Sequence, residues 1–142
     1  MSVHPYLVLT GTTREAMTRY HEILGGELNI LGFDDLPADE EAPPFDVPDG
    51  AVMHAALMFG DGDLIMASDD PTGDGGRMSG FAVNLTLTDQ DEARRVFAEL
   101  ADGGEVQMPL EPTFWAPLFG SCWDRFGVSW MVNVEPAAEE AS

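Results

Sequence analysis

Glu15-Ala16-Met17-Thr18-Arg19-Tyr20-His21-Glu22-Ile23-Leu24-Gly25-Gly26-Glu27 and Glu92-Ala93-Arg94-Arg95-Val96-Phe97-Ala98-Glu99-Leu100-Ala101-Asp102-Gly103-Gly104-Glu105 are two versions of one pattern. Both open Glu-Ala, carry an aromatic on the same turn and end Gly-Gly-Glu. Self-similarity at this separation is the mark of a duplicated supersecondary unit. Ala16, Tyr20, Ile23 and Leu24 recur at helical spacing, as do Ala93, Val96, Phe97 and Leu100, so each copy predicts an amphipathic helix with one core-facing stripe. Thr12 with Glu15, and Asp89 with Glu92, have capping-box spacing at the two starts. Gly25 and Gly103 stand where a helix ends in a left-handed residue. The helices are expected at about 13–24 and 89–101.

Outward from each helix the chain reads as strands. Tyr6 to Thr10 precedes the first helix and Phe81 to Thr88 the second. Further strands are expected at Glu27–Phe33, Val52–Phe59, Asp63–Ser68, Glu105–Met108, Phe114–Gly120 and Val128–Val134, with turns at Gly60-Asp61-Gly62 and Asp124–Gly127. The order is strand–helix–strand–strand–strand, twice, with the joint near Pro71 to Met78. At 142 residues there is material for one domain with a real core and too little for two ordinary ones. The expectation is one domain, 1–142, made of module 1 (about 1–70) and module 2 (about 78–135). Asp34 to Gly50 holds seven acids and four prolines and is expected to be an exposed, mobile loop. The acidic tail, Glu135 to Ser142, is expected to fray.

Composition excludes several functions. There are 26 acidic residues against six Arg and no Lys, a formal net charge of −20. Nucleic-acid binding needs a basic face that displaces counterions, and an anionic membrane surface needs the same, so neither is an expected partner. A solvated acidic surface is the plain reading; adaptation to high salt is the sharper one. No stretch approaches the roughly 20 apolar residues of a membrane span. Cys122 is alone and cannot form an intrachain disulfide. With no basic n-region or apolar signal segment ahead of the first strand, the cytoplasm is the expected compartment.

Pro5-Tyr6-Leu7, then Glu15-Ala16 and Gly25-Gly26, Val52-Met53-His54-Ala55 with Met66-Ala67-Ser68-Asp69, Thr113-Phe114-Trp115, and Asp124-Arg125-Phe126-Gly127 with Trp130 form an ordered set over about residues 4–134. Together they resemble the PhnB-like branch of the glyoxalase/bleomycin-resistance/dioxygenase (vicinal-oxygen-chelate) superfamily. The resemblance implies an α+β fold of two tandem βαβββ modules, forming an open eight-stranded barrel-like cup with the helices on the convex face, in a protein that is usually a homodimer. Members of this branch are sometimes labelled demethylubiquinone methyltransferases. Nothing here resembles a glycine-rich nucleotide loop after a strand, and the chain is too short for a doubly wound methyl-donor domain.

In the metalloenzyme branches of that superfamily, His and Glu from the first and last strand of each module hold a divalent metal. The resemblance puts Pro5, Met66 or Ala67, Ala82 and Met131 at those places. A slip of one residue brings in only His4. Thioethers are soft ligands and the other side chains offer no donor, so no metal and no other cofactor is expected. Of the remaining histidines, His21 falls on the first helix as a surface residue. His54, on the third strand, reads either as a histidine satisfied by backbone or as a ligand contact or weak base.

Period-two alternation then sorts the strands. Asn84 and Thr86 share one face of the fifth strand with Ala82, and Ser129, Met131 and Asn133 share one face of the eighth. Leu7 and Leu9 are expected on the same side from the first strand. Ser68 or Asp69 marks one rim, and Phe114 or Trp115 another. The expected ligand-binding set is His54, Ser68, Asn84, Thr86, Phe114, Trp115, Ser129, Met131 and Asn133, around an apolar pocket with a few amides and hydroxyls. The alternative at these positions is ordinary sheet packing. Asp69-Asp70 with Asp74 lacks the spacing of a calcium loop. Cys122 lacks a neighbouring base and reads as a buried structural thiol.

Three functions follow. The leading one is a metal-independent protein that binds a small, partly apolar molecule, as antibiotic-sequestering relatives of this fold do. The second is a lyase, isomerase or dioxygenase-like enzyme with a nonstandard or metal-free site, its candidate catalytic residues being His54 and Asp69. The third is an inert structural or interaction subunit.

Overall fold

The computed structural model describes residues 1–35, 47–71, 73 and 77–136. The core of the expected acidic loop, residues 36–46, lies outside them, as do Asp74 and the tail from residue 137.

Two compact units divide the chain, Met1–Gly76 and Arg77–Ser142. The first runs β1 (Tyr6–Leu9), α1 (Thr13–Leu24), β2 (Glu27–Gly32), β3 (Val52–Phe59) and β4 (Asp63–Asp69). The second repeats this order as β5 (Val83–Leu87), α2 (Gln90–Ala101), β6 (Glu105–Glu111), β7 (Leu118–Trp123) and β8 (Ser129–Val134). Each unit builds one four-stranded mixed sheet, in the orders β1-β4-β3-β2 and β5-β8-β7-β6. Among the described residues no strand pairing joins the two sheets. The first and last strands of each unit pair parallel, Leu7 against Ala67 and Leu85 against Val132, and the other neighbours pair antiparallel. This is the duplicated βαβββ order anticipated from the repeat.

One face of each sheet is closed by its helix. α1 lies against β3, β2 and β4, and α2 against all four strands of its sheet. The helix stripes are Ala16, Met17, Tyr20 and Ile23 in the first, Ala93, Val96, Phe97 and Leu100 in the second, all buried. Beneath them lie Leu7, Ala55, Leu57, Ile65 and Ala67 in one unit and Val83, Leu118, Trp130, Val132 and Val134 in the other. Each large side chain buried this way contributes roughly 1.5–3 kcal/mol of transfer free energy, so each helix–sheet interface is a main source of its unit's stability.

The Gly-Gly repeat has a structural cause. Gly25 and Gly103 leave the helices at φ 76° and 80°, a region costly for residues with a Cβ. The second glycine of each pair has no room for a side chain: a Cβ on Gly26 would overlap the Met58 carbonyl, and one on Gly104 the Trp123 carbonyl. The helix therefore turns back tightly enough for the following strand to pair with the third strand of its unit, Glu27 opposite Met58 and Glu105 opposite Trp123.

Three local expectations are corrected. Asp89 caps α2 by accepting from the Asp91 N–H, but Thr12 makes no side-chain cap on α1. The Thr13 N–H instead donates to Asp69 Oδ1 at 3.1 Å. Leu7 and Leu9 lie on the helix-covered face, and Tyr6 and Val8 face the other way. The strand expected at Phe114–Gly120 forms at Leu118–Trp123. Thr113 folds the preceding segment into a turn, its N–H donating to the Ala116 carbonyl (3.0 Å) and its hydroxyl accepting from the Ala116 N–H (3.1 Å).

Candidate functional site

The faces that the helices leave uncovered carry the polar and aromatic residues. On the second sheet, register aligns three rows across this face. Ser129, Trp123 and Glu105 form the first, Asn84, Met131, Ser121 and Met108 the second, and Thr86, Asn133, Phe119 and Glu111 the third. Alternation along β5 and β8 thus brings Asn84, Thr86, Ser129, Met131 and Asn133 to one surface, although Ser129 is only 8% exposed.

Within it, three side chains form a connected group. The Thr86 hydroxyl oxygen accepts from Asn84 Nδ2 at 3.1 Å and from Asn133 Nδ2 at 3.0 Å. Next to Asn133 in the third row stands Phe119. Trp115 packs edge-on against Phe119, ring centroids 5.4 Å apart, and Phe114 packs edge-on against Trp115 at 4.8 Å. Trp115 is 52% exposed and Phe114 almost wholly so. The aromatic wall thus belongs to the turn before β7, and Phe119 joins it to the sheet. Phe119 was not among the residues singled out from sequence. Its signal was the alternation Phe119, Ser121, Trp123, hidden because the strand was placed four residues too early.

The first row ends in a charged cover. The Arg77 guanidinium lies 4.0 Å from the centre of the Trp123 ring and pairs with Glu105 at 2.9 Å. Both partners are about half exposed, so this pair contributes little by itself. It does engage the Arg77 guanidinium beside this face.

On the first sheet, His54 and Ser68 also face away from the helix, beside Tyr6, Val8 and Met66. The Tyr6 hydroxyl stands 3.3 Å from His54 Nδ1. Asp69 does not join them. It lies on the buried face at 9% exposure, Oδ1 accepting from Thr13 N and Oδ2 from Val52 N at 2.9 Å. A carboxylate occupied by two backbone amides, on the opposite face from the histidine, is a structural fastening for α1 and β3. Of the two candidate acid–base residues, Asp69 thus has both oxygens taken up by backbone amides, and His54 stands on the other face of the sheet. Elsewhere in this unit a cleft of about 460 Å³ opens at the end of the sheet, lined among others by His4, Glu27, Met58, Asp63 and Leu64.

Two motifs resolve into architecture. Asp124 accepts from the Phe126 and Val128 amides (2.9 and 3.0 Å) with one oxygen and from Trp130 Nε1 (2.8 Å) with the other. It closes the β7–β8 turn onto the buried indole. Cys122 is fully buried on the helix side, and burial, helped by the charge of Asp124, pushes its thiol up to about 11. A thiol held protonated so far above neutrality is a poor nucleophile.

The residues that the resemblance assigns to metal positions offer no donor set for a divalent ion. Met131 sits between Asn84 and Ser121, Met66 between Tyr6 and Ala56, Ala67 is buried under α1, and Pro5 offers only its backbone carbonyl, which accepts from Met66 N at 3.1 Å. Thioethers and methyl groups give no hard donor set. Among the described residues no three His, Cys, Asp or Glu side chains converge as ligands would.

The glyoxalase/bleomycin resistance protein/dioxygenase superfamily model matches residues 2–132. The chain belongs to this superfamily. Its relatives include the protein YjdN of Escherichia coli K12, 35% identical over 141 residues that cover 94% of this chain and 95% of YjdN. The crystal structure of PA1353 from Pseudomonas aeruginosa is 43% identical, covers 95% of this chain and 98% of its own, and superposes with a TM-score of 0.82. The PhnB protein of Bacillus cereus, at 23% identity and a TM-score of 0.74, covers 94% of this chain and 99% of its own and shares the fold. Members of the superfamily thus span both units of the duplicated chain. No described helix is long and apolar enough to cross a membrane.

Proposed function

We propose that the protein is a metal-independent binder of a small, partly apolar molecule, held on the helix-free face of the second sheet. The observation that carries this reading is the Asn84–Thr86–Asn133 group beside an exposed aromatic wall of Phe119, Trp115 and Phe114. Small-molecule sites combine apolar area with a few convergent polar groups, and this face does so, with Met131 in the row beside Asn84. The poor donor set at the metal positions supports independence from metal, and the occupation of Asp69 by backbone amides weakens the acid–base alternative. Met131 and Ser129 belong to the proposed binding set with lesser weight; His54 and Ser68, on the helix-free face of the first sheet, are proposed as ligand contacts of that unit by themselves. We further read the protein as a cytoplasmic homodimer; the lone, buried Cys122 suits a reducing compartment, and the almost fully exposed Phe114 suits a partner surface.

The test is a ligand screen by isothermal titration in the presence and absence of EDTA. The expected result is binding that EDTA leaves unchanged and that Asn84→Leu weakens. A ligand whose binding requires added metal, or is indifferent to both Asn84→Leu and Trp115→Ala, would overturn the reading.

A further inference from the structure

Resting on that reading, we infer the chemical class of the ligand: a neutral, planar aromatic molecule of one or two fused rings that carries a carbonyl group, preferably a carboxamide. The inference comes from the hydrogen-bond arithmetic at Thr86. A hydroxyl has one proton to give and two lone pairs to accept with. Both lone pairs of Thr86 Oγ1 receive amide protons, from Asn84 and Asn133. The two nitrogen neighbours are donors, so neither can take the hydroxyl proton. Among the described residues no side chain accepts from Thr86 either, and at this exposed position its proton is open to an incoming acceptor. Two incoming donors also polarise the O–H bond and strengthen it as a donor. Thr86 thus presents an uncharged donor, flanked by the amide oxygens of Asn84 and Asn133, which can accept.

A carbonyl oxygen completes the donor, and the N–H of a carboxamide completes a flanking acceptor. The aromatic part is located by register. Thr86, Asn133 and Phe119 occupy neighbouring strands of one row, so about 10 Å, two strand spacings, separates the donor from the ring that Trp115 abuts. That distance suits a fused bicycle or a substituted single ring lying across Asn133. Charge excludes the anionic version of the same molecule. The Asn–Thr–Asn group carries no charge, Glu111 closes the same row, and Arg77 is engaged by Glu105 and Trp123. A chain of net charge −20 adds a repulsive field.

The experiment uses 2-naphthamide, 2-naphthoate and naphthalene as probes on the intact protein. Isothermal titration gives affinities, and side-chain amide resonances of Asn84 and Asn133 report the location. The expected order places 2-naphthamide first by at least tenfold over 2-naphthoate. Thr86→Val should weaken 2-naphthamide about five- to tenfold, leave naphthalene unchanged, and be rescued by Thr86→Ser. Circular dichroism confirms that each variant is folded. Equal or tighter binding of 2-naphthoate, or no effect of Thr86→Val on 2-naphthamide, overturns this inference and leaves the site itself standing. Binding of all three probes without perturbing Asn84, Asn133 or Trp115 overturns the site, and the inference with it.

Discussion

Removing the Asp124 carboxylate should be among the most damaging single changes in the second unit. Asp124 is 6% exposed and holds three donors: the Phe126 amide, the Val128 amide and the indole N–H of Trp130. In Asp124→Ala the Val128 amide and the Trp130 indole belong to residues with no exposed surface, so water cannot replace the lost acceptor without opening the turn. Each buried donor left without a partner costs about 1–3 kcal/mol, and the half-buried Phe126 amide costs less. The expected loss is about 4 kcal/mol, a large part of a typical domain's stability. Asp124→Asn keeps one acceptor oxygen and turns an N–H₂ toward the remaining donors, so about half that loss is expected. Urea unfolding followed by tryptophan fluorescence and by far-ultraviolet circular dichroism gives the values. A double-mutant cycle with Trp130→Phe isolates the indole bond, expected to couple by at least about 1 kcal/mol. An Asp124→Ala variant within about 1 kcal/mol of the parent would refute the claim that this carboxylate fastens the turn to the core.

Gly26→Ala should lose more than about 2 kcal/mol, because the new methyl meets the Met58 carbonyl at a positive φ; Gly62→Ala, also at positive φ but in open space, should cost less in the same urea titration. Asp69→Ala should destabilise by about 2–3 kcal/mol through the freed Thr13 and Val52 amides, with hydrogen exchange accelerated first at the start of α1. The Cys122 thiol, raised to about 11 from an ordinary value of 9.0, makes the unfolded chain lose its proton first. Stability should therefore fall as pH rises from about 9 to about 11, more steeply than in Cys122→Val, and a thiol reagent at pH 8 should react only as fast as the protein opens.

Much of the fold was legible because its signals are local. The helix stripes, the Asp89 cap, the glycine pairs and the hairpin turn at Gly60-Asp61-Gly62 act within one or two turns of chain, and each repeats or has a direct conformational requirement. Alternation was equally sound on β5 and β8, where Asn84, Thr86, Met131 and Asn133 contrast with apolar neighbours. It failed on β1, where Tyr6, Leu7, Val8 and Leu9 offer no polar contrast, and it failed on β7, where Phe114 and Trp115 look like strand residues and sit in a turn held by Thr113.

The residues themselves carried the duplicated βαβββ order, both helices and the tight exits at Gly25 and Gly103. Periodicity and backbone freedom are properties of the residues wherever they end up. Only the tertiary structure decided that Asp69 fastens α1 and β3 instead of serving His54, that Leu7 and Leu9 lie under the helix, and that Phe119 links Trp115 to the Asn84–Thr86–Asn133 group. The physical reason is distance along the chain. Thr13 is 56 residues from Asp69 and Thr86 is 47 from Asn133, so these partners are chosen by which strands pair and by which face the helix covers, and no local pattern encodes that choice.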